Sequence, residues 1–185
     1  MFKYLNLTPT LRLTFLLWLT FSIQFYLNAD LGFLGIYPRH FSGLLGVITG
    51  PLVHGDWVHL MSNTFPFLFL SGAIYLFYPK VANQVLVQCY LITGLLVWVF
   101  GRPFYHIGIS GVVYGLAFFL ISLGLFRKDL KSLLISTITL LVYGGLIYGL
   151  LPEDTYVSWE SHLMGAIVGV GSAMGIAKFN PQSTT

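Results

Sequence analysis

The chain has 185 residues, of which 56% are hydrophobic and only 8% charged, with a formal net charge of +3. A typical soluble domain carries roughly 25% charged residues. Nine basic and six acidic side chains do not cover a soluble body of 20.7 kDa, and the hydrophobic content excludes a disordered chain. What remains is a polytopic membrane protein whose solvent is mostly lipid.

The mean hydropathy of +0.82 agrees with this. The basic residues lie singly or in one small cluster, so a sequence pI near 9.0 gives no nucleic-acid-binding stripe. They read as topology signals. One cysteine, Cys89, excludes an intrachain disulfide framework or a cysteine metal site.

In chain order, six stretches are long and apolar enough to cross the bilayer as helices: about 11–28, 57–78, 81–100, 108–126, 133–150 and 161–177. The predicted fold is an all-α, six-span bundle forming one membrane domain over residues 1–185. The first stretch is too long for a removable signal peptide, and its exit, Leu27-Asn28-Ala29, is a weak cleavage site. The long loop 28–56 follows. Within it, the apolar segment 41–53 is too short to span and carries Gly43, Gly46, Gly50 and Pro51, so an interfacial or re-entrant element is expected.

Charge placement orients the spans. With the N-terminus inside, Lys3, Arg12, Lys80, Arg127, Lys128, Lys131 and Lys178 lie inside, and only Arg39 and Arg102 lie outside. Of the acids, Asp129 is inside, while Asp30, Asp56, Glu153, Asp154 and Glu160 are outside. The expected topology is N-in, C-in. No organellar targeting segment precedes the first span, which points to a bacterial inner membrane.

Ionisable and polar groups inside a membrane are costly and mark function. Three clusters qualify: His54-Gly-Asp-Trp-Val-His59-Leu-Met-Ser-Asn63 entering span two, Gly108-Ile-Ser110-Gly111 opening span four, and Ser161-His162-Leu-Met-Gly165 opening span six. All three spans run from outside to inside, so the clusters share one layer in the outer half of the bilayer. His59 and Asn63, at i and i+4, share a helix face. Gly111 and Gly115, Gly165 and Gly169, and Gly171 and Gly175 are small-xxx-small pairs that let helices approach closely. Close contact of spans four and six brings Ser110 within reach of His162, as a nucleophile and its base require. The N–H of Ser110, at a helix start, and the side chains of His59 and Asn63 are candidate oxyanion donors. Glu160 faces another side from His162, so a Ser–His dyad is expected rather than a triad.

These residues resemble the rhomboid intramembrane serine proteases. The resemblance rests on HxxxxHxxxN at His54, His59 and Asn63, on GxSG from Gly108 to Gly111, and on His162 followed by Gly165, in family order on spans two, four and six. It implies a serine endopeptidase that cleaves transmembrane protein substrates near the outer face, without a cofactor. Ser110 would be nucleophile, and His162 base and then acid. His59, Asn63 and the Ser110 N–H would form the oxyanion hole. His54 would be a supporting residue, and Tyr114 would pack its ring against the catalytic imidazole. The first loop would lie partly in the outer leaflet, and substrate would enter between spans two and five. Arg39 would parallel the family's Trp-Arg element, with Pro38 where that element has Trp.

Blander readings stand beside these. Ser110 alone is a helix cap, and His59 and Asn63 are interhelical glue. His40 and His106 read as solvated loop histidines, Cys89 as packing, and Ser161 as pointing away from the site. Gly115, Gly169, Gly171 and Gly175 read as packing devices. A zinc protease would carry H-E-x-x-H, which is absent from the sequence, and no metal is expected. A transporter would show repeats and polar groups at mid-membrane. A non-catalytic rhomboid-like protein that binds membrane clients is the alternative, against which intact Ser110 and His162 argue.

Overall fold

Where no water is at hand, an apolar run satisfies its backbone polar groups most simply as a helix. The structure, a computed structural model, describes residues 6–152 and 158–179. Among them are six long helices. Helix α1 is Thr8–Tyr26, α2 is Trp57–Phe77, and α3 is Pro79–Phe100, with one turn of π-helix at Gln88–Ile92. Helix α4 is Ser110–Arg127. Helix α5 is Leu130–Tyr143 and runs into a 3-10 segment, Gly144–Leu150. Helix α6 is Trp159–Phe179. Lys3, Glu153 and Asp154, which enter the charge count, lie outside the described residues.

Local chemistry sets several ends. Asp56 caps α2 by accepting from the N–H of His59 at 2.8 Å, and Asp129 caps α5 by accepting from the N–H of Ser132 at 3.0 Å. Helix α4 stops where Lys128 turns left-handed at φ 57°. The stretch expected as a continuous fifth helix loses α-helical geometry at Gly144-Gly145, residues that hold a helix weakly.

Among the described residues, four helices are long and apolar enough to cross a membrane: α2, α3, α4, and α5 with its 3-10 extension. Helices α1 and α6, at 19 and 21 residues, match them in length but are more polar. Arg12 and several threonines lie in α1; Glu160, Ser161 and His162 open α6. For α6 the reason is its position, packed along α4 in the most extensive helix pair of the molecule. Helix α4 is the centre of the bundle, with two-thirds of its span buried, whereas α5 is peripheral. Phe67 of α2 and Leu116, Phe119, Leu120 and Leu123 of α4 are fully or almost fully buried in one core.

Glycine makes the α4–α6 contact close. A Cβ on Gly165 would fall 2.0 Å from the carbonyl oxygen of Gly111, and one on Gly169 would fall 2.1 Å from that of Gly115. Gly171 and Gly175 depart from expectation. A Cβ on either meets no heavy atom within 4 Å, so that pair is not a packing device.

The segment 41–53 does not span. It forms short helical turns, Phe41–Leu44, Gly46–Thr49 and Gly50–Leu52. Phe41, Leu45 and Ile48 are exposed, while Gly46, Val47 and Gly50 are buried. This one-sided pattern suits an element lying at an interface. The loop is fastened to the start of α4 and the end of α3. Ile36 and His106 form an antiparallel β-bridge, and the N–H of Gly108 donates to Gly50 at 3.0 Å. Arg39, left-handed at φ 60°, donates from Nη1 to the carbonyls of Val99 (3.2 Å) and Gly101 (2.8 Å). Arg39 therefore acts here as a tie between loop and helix end.

Candidate functional site

Helices α2, α4 and α6 begin at the same end of the bundle, and the polar clusters lie in or just before their first turns. Gly108 makes the approach to α4 possible. Its φ is +96°, a region L residues rarely adopt, and a Cβ there would lie 2.6 Å from Nε2 of His59. The turn that follows delivers Ser110 as the first residue of α4, where backbone N–H groups have no intrahelical acceptor.

Ser110 Oγ lies 2.9 Å from Nε2 of His162, across the close α4–α6 contact. The other ring nitrogen, Nδ1, lies 2.9 Å from the carbonyl oxygen of Gly149. The Tyr114 ring stacks on the imidazole with centroids 4.1 Å apart and planes 3° from parallel. A serine hydroxyl on one imidazole nitrogen and a fixed acceptor on the other is an arrangement suited to drawing a proton from the serine.

Around this pair is a cavity of about 620 Å³, lined among others by His59, Asn63, Ser110, Tyr114 and His162. The structure thus gathers these five residues, and Gly108 and Gly111 hold the backbone that presents the serine. Asn63 is buried and donates from Nδ2 to the carbonyl of its own helix at His59, 3.0 Å away. That uses one of its two amide donors. One wall of the cavity is α2 and another carries Leu146 of the 3-10 segment.

His54 stands behind His59. It is fully buried, its ring lies 4.9 Å from the His59 ring, and Nε2 has no hydrogen-bond partner. Burial, aided by the neighbouring His59, pushes its pKa down to about 4. Its carbonyl accepts from Gln24 Nε2 at 3.0 Å, tying α1 to the site.

His106 is not a solvated loop histidine. It is buried, with Nδ1 2.6 Å from Ser158 Oγ and Nε2 3.0 Å from the Arg102 carbonyl, and burial lowers its pKa. The β-bridge to Ile36 draws this segment inward. His40, by contrast, is exposed against Tyr37. Ser161 Oγ pairs with Ser158 Oγ at 2.6 Å, away from the serine–histidine pair. Glu160 is buried and faces Arg102, which it meets through Nε and, at 3.1 Å, through Nη2. The guanidinium also lies over the rings of Phe104 and Trp159, at 4.9 and 5.8 Å. These contacts fasten the 101–109 loop to the start of α6. Cys89 is fully buried against Gly115. Among the described residues, no three His, Cys, Asp or Glu side chains converge in a way that could hold a metal ion.

No sequence motif marks the Gly149 carbonyl, because a backbone group has no side-chain signature. The glycines interrupting the apolar run at 144, 145 and 149 were the available signal.

Fold and site together define an integral membrane protein of packed helices with a serine–histidine pair at a polar cavity. The Rhomboid domain model matches residues 41–179, and the chain belongs to the rhomboid family. An uncharacterized protein of Mycobacterium tuberculosis (strain ATCC 25618 / H37Rv) is 35% identical over 175 residues, covering 90% of this chain and 73% of the relative. One from Mycobacterium leprae (strain TN) is 34% identical over 139 residues, covering 70% of this chain and 55% of the relative.

Proposed function

We propose that this protein is an intramembrane serine endopeptidase that cleaves transmembrane protein substrates near the outer face of the membrane. The observation that carries the reading is the 2.9 Å contact between Ser110 Oγ and His162 Nε2 on the wall of the cavity. On this reading the six helices all span, the N- and C-termini are inside, and the membrane is a bacterial inner membrane, in keeping with mycobacterial relatives.

Ser110 Oγ attacks the scissile carbonyl while its proton passes to His162 Nε2. The oxyanion accepts from the Ser110 N–H, His59 and the second N–H of Asn63. His162 gives its proton to the leaving amine, leaving an acyl-enzyme. It then takes a proton from water as that water attacks the ester, and returns it to Ser110. A regular substrate helix hides its carbonyls in hydrogen bonds, so a segment that unwinds easily is the better substrate.

The test is cleavage of a generic transmembrane reporter by purified protein, wild type against Ser110→Ala. Cleavage by the wild type with at least a thousandfold loss in the variant, roughly what removal of a nucleophile costs, is expected. Equal rates refute the protease reading and favour a non-catalytic client-binding protein.

A further inference from the structure

We infer that the main-chain carbonyl of Gly149 positions His162, standing where a triad would place an acid. The inference rests on the protease reading for its consequence, though not for its geometry.

A carbonyl oxygen can only accept a hydrogen bond, so its 2.9 Å contact with Nδ1 puts the ring proton there. A neutral imidazole has one N–H, and Nε2 is then left as the acceptor facing the Ser110 hydroxyl. Carbonyls in the last turn of a helix lack intrahelical donors. Gly149 lies at such an end, in the 3-10 segment Gly144–Leu150. The bond therefore satisfies a backbone acceptor and selects a tautomer at once.

The residue must be glycine for the carbonyl to come this near. A Cβ at 149 would fall 2.0 Å from the Tyr114 hydroxyl and 3.2 Å from His162 Nδ1. Tyr114 fixes the ring plane from one face, and Gly149 fixes rotation within that plane. Among the described residues, no acid has a hydrogen bond to the ring. Asp56 caps α2 and Glu160 is paired with Arg102.

The experiment is ¹⁵N NMR of histidine-labelled protein in micelles, with the His162 signals assigned by their loss in His162→Ala. Nδ1 protonated and Nε2 unprotonated is the expected wild-type state. In Gly149→Ala the tautomer becomes mixed and kcat for the reporter falls about a hundredfold, as for a misplacement near 1 Å, with KM little changed. Adding Tyr114→Phe removes the nearest obstruction and recovers at least part of kcat and of the wild-type tautomer. Should Gly149→Ala fail to fold, the wild-type spectrum and the double variant still decide. A wild-type His162 protonated at Nε2, or Gly149→Ala with unchanged tautomer and kcat, overturns the inference. A wild type no more active than Ser110→Ala removes the protease reading instead, while the spectrum still tests the hydrogen bond.

Discussion

Gly165→Ala is expected to separate the serine from its histidine without touching either. The added methyl would sit 2.0 Å from the Gly111 carbonyl oxygen. Ordinary contact begins near 3.4 Å, so α4 and α6 must part locally by roughly 1.4 Å to reach a van der Waals distance. Gly111 follows Ser110, and Gly165 lies one turn beyond His162. A gap of 2.9 Å then opens to about 4 Å, beyond hydrogen-bond range. Overpacking of this kind costs about 1–3 kcal/mol of stability, and the misalignment costs about a hundredfold in kcat. Reporter cleavage and thermal unfolding in micelles measure both. Gly175→Ala, on the same helix and facing open space, is the matched control and leaves both unchanged. Wild-type cleavage by Gly165→Ala would refute the claim that glycine contact sets the dyad distance.

Gly108→Ala forces an L residue to φ +96° and drives its Cβ towards His59 Nε2; kcat falls more than tenfold, at a strain of about 1–2 kcal/mol, as read by cleavage and Tm. Arg102→Ala leaves the buried Glu160 carboxylate without its charged partner, with the backbone N–H of residue 102 still donating to it, so it lowers the apparent Tm by more than Glu160→Gln, which removes the charge itself; the reverse order would show that the pair is not holding the loop. His54 is buried neutral, with its pKa lowered from 6.5 to about 4. Its contribution to stability is full above pH 6.5 and is lost as pH falls towards 4, because the unfolded chain takes up a proton that the folded one excludes. The full window corresponds to about 3 kcal/mol. His106 adds in the same direction. A Tm series from pH 7.5 to 4.5 should therefore decline less steeply in His54→Asn, and parallel curves would sink this account.

The sequence made one layer of the site legible because three constraints coincide. A charge bias gives the spans an expected direction, alternate spans run the same way, and spans two, four and six carry polar residues at their starts. That is enough to bring His59, Asn63, Ser110 and His162 together without any contact being known. Gly165 and Gly169 were legible because backbone contact in lipid leaves few alternatives to small residues. Gly171 and Gly175 repeat the spacing, but a Cβ on either meets no heavy atom within 4 Å among the described residues; spacing alone does not say which face finds a partner. His106 was misread because loop position suggests solvent, whereas the β-bridge to Ile36 that buries it joins residues far apart in sequence. The fifth stretch was legible as a span, and Leu130–Leu150 is helical and apolar enough to cross a membrane; its 3-10 end was not, because hydropathy reports how apolar a stretch is, not how its backbone winds.

The end of α5 bears on how His162, if it is the base we propose, would be oriented by an uncharged group. A carboxylate aimed at a buried imidazole would have to be stripped of water, and in an apolar surround the desolvation cost competes with what the ion pair returns. The Gly149 carbonyl gives the same directional acceptor with no net charge to desolvate. Among the described residues, Glu160 of the same helix is paired with Arg102 at the loop, where the guanidinium is partly exposed. Gly149 lies in the last turn of its helical segment, so its carbonyl finds no donor within that segment. That position leaves a neutral acceptor 2.9 Å from Nδ1 of the imidazole.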